Sequence, residues 1–299
     1  MSSSVSNKIT NIAERRQGPR PVAVNAPDRP DVERVRRALA GRFSDFKQGS
    51  IFGDIESYLV CDARGETLEL KVLSAEATSN ENARELFLSD ARAAAKLVHP
   101  NISTTTEPEE TLGVLFCTVE HKQDARTLRE LLDHDGWFDV ASAARIADQI
   151  ASALDHAHQI RVLHLRLQPE CVLVEADGWV TIADFGTETA CSQRSKMPAA
   201  PYASPEQASG SAVDHRSDLY SIGAVLYEML TDRTPFDSDD ADYVRHRQRS
   251  VTPAPPHLIS TDVPEAVSSV VMKLLEPERD RRFASAIAFQ SALDDAVNQ

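Results

Sequence analysis

The sequence predicts an α+β protein in which a small β-rich part precedes a larger helical part. Residues 58–61 and 68–73 form short apolar or alternating runs around a turn at 62–65, a pattern typical of a β-hairpin. After Glu120 strand patterns become scarce. Residues 218–231 are almost wholly apolar, which predicts a helix that is buried on all sides.

The other elements follow from the spacing of their apolar residues. Residues 112–119 fit the second half of a strand pair, and a tight turn at Asp177-Gly178 predicts a hairpin of 172–174 with 180–182. Further helices are predicted over 31–40, 83–98, 140–159, 263–275 and 284–297. Residues 1–31 are rich in Ser, Pro and Arg, and this composition predicts disorder.

The charge of the chain is unevenly distributed. Its 299 residues carry a net charge of −14, and 41% of them are hydrophobic, enough for a sizeable core. Residues 1–40 hold eight Lys/Arg and four Asp/Glu, a net of +4, whereas the remainder holds 24 and 42, a net of −18. An acidic body argues against nucleic acid as the main partner. The basic head is expected to be a solvated tail, and contact with an acidic surface, including its own domain, is the alternative.

Four cysteines are widely spaced and form no C-x-x-C pair: Cys61, Cys117, Cys171 and Cys191. Neither a zinc site nor a disulfide framework is indicated, and the pattern fits a reducing, cytoplasmic compartment. The first residues lack the apolar core of a signal peptide, and no run of about 18 apolar residues predicts a membrane span.

Seven segments resemble, in order and spacing, those of a bacterial-type Ser/Thr protein kinase domain. They are Leu68-Glu69-Leu70-Lys71, His99-Pro100-Asn101-Ile102, Thr127-Leu128, His164 to Cys171, Asp184-Phe185-Gly186, Ser204-Pro205-Glu206-Gln207 and Asp218 to Gly223. The resemblance implies a bilobal protein kinase-like fold over residues 41–299, with an N-lobe at 41–121 and a C-lobe at 122–299. Residues 1–40 would then form an N-terminal extension.

Phosphoryl transfer requires held phosphates, neutralised charge and a positioned acceptor hydroxyl. The resemblance implies a glycine-rich phosphate loop at residues 50–57, where only Gly53 remains near the required positions. Glycines there let backbone N–H groups approach the phosphates. This loop instead contains two bulky side chains, Phe52 and Ile55, and two negatively charged ones, Asp54 and Glu56.

Lys71 matches the family lysine that contacts phosphates and pairs with a glutamate of the first helix. The helix position is Asp90, one methylene shorter, so this pair is expected to be strained. Glu69 stands where the family has an alanine against the adenine ring. A buried carboxylate costs several kcal/mol unless it is paired, so Glu69 argues against adenine binding. Lys71 is therefore expected to join sheet and helix without binding a nucleotide.

The catalytic loop should follow the order His-Arg-Asp-Leu-Lys-Pro-Glu-Asn. It retains His164, but Arg166 replaces the catalytic aspartate and cannot accept a proton. Gln168 replaces the phosphate-contacting lysine. Cys171 replaces the magnesium-binding asparagine, and a thiol suits a hard cation poorly. The functional residues are lost while the structural ones persist.

Asp184 is the one metal-binding residue of the family motif that remains. We expect it to cap a turn, with Phe185 filling the core beside the catalytic loop. The resemblance assigns structural roles to three further residues. Glu206 should form a buried ion pair with Arg282, and Asp218 should hold the catalytic-loop backbone.

These substitutions favour a pseudokinase that acts as a protein-binding scaffold or allosteric regulator, without a cofactor. The alternative is an atypical Ser/Thr protein kinase that uses ATP and magnesium, with another carboxylate in place of the catalytic aspartate. The candidates are Glu170, Asp177 and Glu188. A third possibility is a kinase-fold transferase that binds the nucleotide in another orientation, against which Glu69 also argues.

The cleft between the lobes is expected to be closed or partly filled, and to bind ATP weakly or not at all. Three N-lobe residues should supply the bulk and charge: Phe52, Ile55 and Glu69. Arg166 is expected to pair with Asp184 or with Glu170, which would remove Asp184 as a magnesium ligand.

Overall fold

The computed structural model describes residues 30–185, 201–236, 238 and 240–299. The predictions for residues 1–29, Gly186, Glu188 and Cys191, and for the side chain of Phe52, lie outside what it describes. No helix among the described residues is both long enough and apolar enough to cross a membrane.

The N-lobe is a five-stranded antiparallel sheet with the strand order β1-β2-β3-β5-β4. Its strands are β1 (Ser44–Phe52), β2 (Ile55–Cys61), β3 (Thr67–Leu73), β4 (Glu109–Thr111) and β5 (Val114–Glu120). The predicted hairpin is present as β2 and β3. Three helices belong to this lobe: α1 (Pro30–Leu39), α2 (Ala75–Thr78) and α3 (Glu81–Ala94).

Helix α3 begins earlier and ends earlier than the predicted 83–98. Its start is set by Asn80, whose side chain accepts hydrogen bonds from the amides of Asn82 and Ala83. One face of the sheet packs on α3 through residues such as Phe87 and Leu115. This packing places α3 beside β3.

Helix α1 packs on the other face of the sheet. Val35 and Leu39 are buried there with Phe116. Arg34 donates to the carbonyl of Gly113 at 3.1 Å. The helix predicted at 31–40 is thus present, and it belongs to the packed lobe although the predicted domain boundary follows it at residue 41.

The C-lobe is mostly helical. Its helices are α4 (Leu128–Asp135), α5 (Val140–Gln159), α6 (Pro205–Ala208), α7 (His215–Thr231), α8 (Ala241–Ser250), α9 (Pro256–Ile259), α10 (Glu265–Leu274) and α11 (Ala286–Val297). Helix α7 is buried all round from Ser217 to Thr231, as its apolar sequence predicted. It approaches α10 at Gly223, where an added Cβ would lie 2.6 Å from Cβ of Leu274.

A second, three-stranded sheet lies under the cleft. It contains β6 (Arg126–Thr127), β7 (Val172–Val174) and β8 (Val180–Ile182), and the β7–β8 hairpin is the predicted one. The amide of Ile182 donates to the carbonyl of Asn101 at 2.8 Å, and the amide of Ser103 donates back to Ile182 at 2.9 Å. These bonds join the segment after α3 to β8, and so fix the residues that follow β8.

Candidate functional site

A cleft of about 330 Å³ lies between the lobes. Its lining residues are Ile51, Ile55, Ser57, Glu69 and Lys71 from the N-lobe, and Arg166, Gln168, Glu170, Cys171 and Asp184 from the C-lobe. The volume is near the lower end of the range of about 300–1,000 Å³ that is typical of ligand sites. The cleft is therefore present and not closed, and Ile55 and Glu69 are among the residues that line it.

The turn between β1 and β2 lies where the phosphate loop was predicted, and residues on either side of it line the cleft. It is a two-residue turn in which Gly53 has a φ of 57°. Ile55 and Ser57 line the cleft, whereas Glu56 is buried elsewhere and accepts a hydrogen bond of 2.5 Å from the Tyr58 hydroxyl. Side chains alternate between the faces of a strand, so Glu56 does not add its charge to the cleft as predicted.

Lys71 is almost fully buried and forms an ion pair with Asp184. This contact replaces the predicted pair with Asp90 on α3. Burial lowers the pKa of Lys71, but the charges of Asp184 and Glu69 outweigh it and raise that pKa. Lys71 therefore joins the N-lobe sheet to the segment after β8, and not to α3.

Both carboxylate oxygens of Asp184 are engaged. Oδ1 accepts from Nζ of Lys71, and Oδ2 accepts from the thiol of Cys171 at 3.6 Å. Burial raises the pKa of Asp184, but the charge and hydrogen bond of Lys71 and the charge of Arg166 lower it to about 2. Burial and the neighbouring Asp184 raise the pKa of Cys171 well above its usual range, so Cys171 is a protonated donor.

Arg166 is buried and lines the cleft. The ion pairs predicted for it involve two carboxylates that the structure pairs with other cations. Asp184 binds Lys71, and Glu170 accepts from Nε of Arg129 at 3.1 Å. Arg166 acts on Asp184 through its charge, which lowers the pKa of that carboxyl group.

Glu69 lines the cleft as predicted, but it is half-buried and not enclosed. The desolvation penalty expected for a fully buried carboxylate is correspondingly reduced. Its charge still reaches the neighbouring side chains, since it raises the pKa of Lys71 and contributes to the raised pKa of Cys117 after burial.

The catalytic-loop backbone is held by Asp218, the residue expected to do so. Its carboxylate accepts from the amides of His164 at 2.9 Å and Leu165 at 2.6 Å. Nε2 of His158 lies 2.7 Å from the same carboxylate. Phe185 packs edge-on against His164, with ring centroids 4.6 Å apart, as the sequence predicted.

The C-lobe contains the predicted ion pair between Glu206 and Arg282. Two N–H groups of Arg282 donate to the carboxylate at 2.7 and 2.9 Å, and the hydroxyl of Ser217 donates at 2.6 Å. Burial raises the pKa of Glu206, and the hydrogen bond and charge of Arg282 lower it more. Arg282 also donates to the carbonyls of Glu276, Arg216 and Pro277.

Arg129 forms a network that the sequence analysis did not identify. Its guanidinium donates to Glu228 at 2.9 Å, to the Tyr202 hydroxyl at 2.5 Å and to Glu170. The available signal was Glu228, a carboxylate near the end of an almost wholly apolar run, because such residues are almost never buried without a partner. The network joins α4, the catalytic loop, α7 and the segment before α6.

The other carboxylates considered as catalytic substitutes do not gather at Arg166. Glu170 lines the cleft but binds Arg129. Asp177 accepts from the amide of Trp179 at 2.9 Å and caps the β7–β8 turn. It does not line the cleft.

The sequence model of the protein kinase domain family matches residues 52–294 of this chain. The chain belongs to the protein kinase domain family. The predicted family and the predicted α+β bilobal fold are thereby confirmed.

Curated relatives are bacterial Ser/Thr protein kinases. The chain is 33% identical over 241 residues to pkn3 of Myxococcus xanthus, covering 75% of this chain and 44% of that protein. It is 32% identical over 253 residues to PknB of Mycolicibacterium smegmatis, covering 81% of this chain and 40% of that protein. PrkC of Bacillus subtilis is 27% identical over 271 residues, covering 88% and 42%. The chain thus spans less than half the length of these relatives.

Solved structures show the same fold. The PknI kinase domain of Mycobacterium tuberculosis superposes with a TM-score of 0.67 at 25% identity, covering 85% of this chain and 96% of that one.

Proposed function

We propose that this kinase-fold domain is a pseudokinase, a protein-binding module that does not transfer phosphate. The observation that carries the proposal is Arg166, a buried cation lining the cleft where the family has its catalytic aspartate. A guanidinium cannot accept the proton of a substrate hydroxyl. Loss of positioned acid–base help typically removes about 10²–10⁴ in rate.

The residues at the metal position also support the proposal. Magnesium requires oxygen ligands, and here the pair is Asp184 with the protonated thiol of Cys171. Asp184 is already bound by Lys71, and the described residues contain no cluster of three His, Cys, Asp or Glu side chains that could hold a metal. The donor set does not fit magnesium, and no step of a mechanism is derived through it.

The alternative is an active Ser/Thr protein kinase that uses ATP and magnesium. The comparisons favour this alternative over the pseudokinase, because the relatives are all named Ser/Thr protein kinases. The open cleft and the retained Lys71 also agree with it. Of the candidate carboxylates that the structure describes, Glu170 lines the cleft, although it is bound to Arg129. We weigh the cleft residues above the relatives' names, since those residues would perform the reaction.

Transfer of radiolabelled phosphate from ATP separates the two functions. We expect no labelling of the chain or of a general protein substrate with magnesium or manganese, and no difference between the wild type and Asp184→Ala. Labelling that disappears in Asp184→Ala would establish an active kinase. A variant with Arg166→Asp, Gln168→Lys and Cys171→Asn restores the family residues and tests whether the scaffold can still support transfer.

Nucleotide binding is tested separately by thermal unfolding with ATP, with and without magnesium. A ligand that binds only the native state must stabilise it, so we expect little or no shift for the wild type. Glu69→Ala removes the carboxylate expected to oppose adenine, and should increase any shift. A shift of several degrees in the wild type would contradict the expected weak binding.

The proposal also includes a protein partner and a cytoplasmic location. The wide spacing of the four cysteines along the chain, with no C-x-x-C pair, supports a reducing compartment. Titration of the free thiols in freshly lysed cells checks this, and a disulfide among them would contradict it.

A further inference from the structure

Two histidines meet where the segment after α3 passes helix α5. The rings of His99 and His156 have their centroids 5.2 Å apart and their planes inclined by 31°. The hydroxyl oxygen of Ser152, which precedes His156 by about one turn of α5, lies 3.3 Å from Nε2 of His99. His99 therefore contacts α5 through two of its side chains.

The neutral form of His99 shapes its own segment. The amide of Asn101 donates to Nδ1 of His99 at 3.1 Å, so this nitrogen carries no proton. The single proton of the neutral ring then lies on Nε2, which donates to Ser152. In a protonated ring both nitrogens are donors. A second proton on His99 would therefore set the Nδ1–H group against the amide of Asn101 and break their hydrogen bond.

The surroundings of the two rings oppose a second proton. Burial and the charge of His156 lower the pKa of His99. Nε2 of His156 is buried, and among the described residues it has no hydrogen-bond partner. Asp155, the next residue on α5, accepts from Gln159 at 2.6 Å. In the part of the chain that the structure describes, no carboxylate forms an ion pair with His99 or His156.

The other elements beside His99 bring no compensating charge to it. From the β7–β8 turn, the indole N–H of Trp179 donates to the carbonyl of Pro100 at 3.3 Å. Asp177 of the same turn accepts from the amide of Trp179. At the end of α3, Lys96 is exposed. The charged group that acts on His99 is therefore the second histidine.

The segment that His99 shapes supports the residues that lead to the cleft. The side-chain amide of Asn101 donates to the carbonyl of Val180 at 2.7 Å, and its backbone carbonyl accepts from the amide of Ile182 at 2.8 Å. Asp184 follows two residues later and forms the ion pair with Lys71. A change in the turn at residues 99–101 thus reaches β8 through Asn101.

We propose that His99 and His156 form a pH-sensitive contact that holds the segment after α3 to α5 and β8, and that proton uptake by His99 releases this segment. The lowered pKa keeps His99 neutral at pH 7, and the ring takes up a proton only as the pH falls below its ordinary value of 6.5. The unfolded chain then binds more protons than the folded one, so the contact stabilises the protein above about pH 6.5 and this contribution is lost as the pH falls. The inference does not depend on whether the cleft transfers phosphate.

Trp179 provides a fluorescent reporter of this contact, because its indole is bonded to Pro100 beside His99. The chain has two tryptophans, so Trp137→Phe leaves Trp179 alone. In that variant we expect the emission of Trp179 to show one transition between pH 8 and pH 5, with a midpoint below about 6.5. Adding His99→Asn should abolish the transition, since an asparagine side chain accepts from the amide two residues on but does not titrate.

Two further substitutions separate the pair from other histidines. His156→Gln removes the neighbouring charge and should move the midpoint to higher pH. The matched control is His134→Gln on α4, which removes an exposed histidine and should leave the midpoint unchanged. Circular dichroism at both ends of the pH range establishes that each variant is folded.

Hydrogen exchange tests the coupling to β8. The protection factors of the Ile182 and Ser103 amides should be about threefold or more lower at pH 5.5 than at pH 7.5 in the wild type, and equal at both pH values in His99→Asn. The proposal would be overturned by an unchanged transition in His99→Asn, by an unchanged midpoint in His156→Gln, or by the absence of any transition in the presence of both histidines. Equal protection of Ile182 at both pH values in the wild type would also overturn it.

Discussion

The cleft and the centre of the C-lobe have kept different parts of the kinase pattern. In the cleft, Arg166 and Cys171 stand where the family has an aspartate and an asparagine. In the C-lobe, Glu206, Asp218 and Arg282 are retained and make the hydrogen bonds expected of them. Residues that hold the backbone and residues that line the cleft are therefore under separate physical constraints.

The reason lies in burial and hydrogen bonding. Arg282 binds a carboxylate and three backbone carbonyls, so its loss would leave several buried groups without partners. Arg166 and Cys171 are buried too, but both line the open volume of the cleft. Its remaining family pair, Lys71 and Asp184, has become a direct ion pair across the lobes.

The largest loss of stability is expected from breaking the C-lobe ion pair between Glu206 and Arg282. Arg282→Ala should lower the free energy of unfolding by about 3–5 kcal/mol, because an uncompensated Glu206 remains buried. Urea denaturation measures it. The matched control is Arg281→Ala, which removes an exposed ion pair with Glu278 and should cost less than about 1 kcal/mol. Similar midpoints for the two variants would show that the pair does not hold the lobe.

A smaller loss is expected from Arg129→Ala. Arg129 is partly exposed, with 25% of its side chain accessible, so the cost should be on the order of 2–3 kcal/mol. Arg129→Lys keeps the charge but cannot reach Glu228, Tyr202 and Glu170 together, and should recover only part of the stability. Full recovery by lysine would show that charge alone matters there.

The ion pair between Lys71 and Asp184 should make a pH-dependent contribution to the free energy of unfolding. The pKa of Asp184 is lowered to about 2 in the folded protein, below its ordinary value of 3.8. A lowered folded-state pKa stabilises the protein above the ordinary pKa, and that contribution is lost as the pH falls from about 4 to about 2. Over this interval the wild type should lose on the order of 2 kcal/mol more than Lys71→Met. Parallel stability curves would contradict the ion pair.

The smallest effect is expected at Glu69. It is half-buried, and among the described residues it has no ion-pair partner within reach. Glu69→Ala should therefore change the free energy of unfolding by less than about 1 kcal/mol. If Glu69→Ala lowered the free energy of unfolding as much as Arg282→Ala does, the cleft residues would matter as much for stability as the residues that hold the C-lobe.

Local sequence determined the main helices and strands. It also identified most of the residues that hold the C-lobe together. Apolar periodicity identified the buried helix α7, and the Asp-Gly turn identified the β7–β8 hairpin, since both signals act over a few residues. The order of the family segments also identified Asp218 and the pair of Glu206 with Arg282. These positions are specified by a shared scaffold whose packing requires them.

The tertiary structure decided which charges meet across the lobes. The sequence predicted Lys71 with Asp90 and Arg166 with Asp184, but the structure pairs Lys71 with Asp184. It also turned Glu56 away from the cleft. Such partners are far apart along the chain, and a long charged side chain can reach several carboxylates. Strand register and lobe orientation, which no local pattern encodes, select among them.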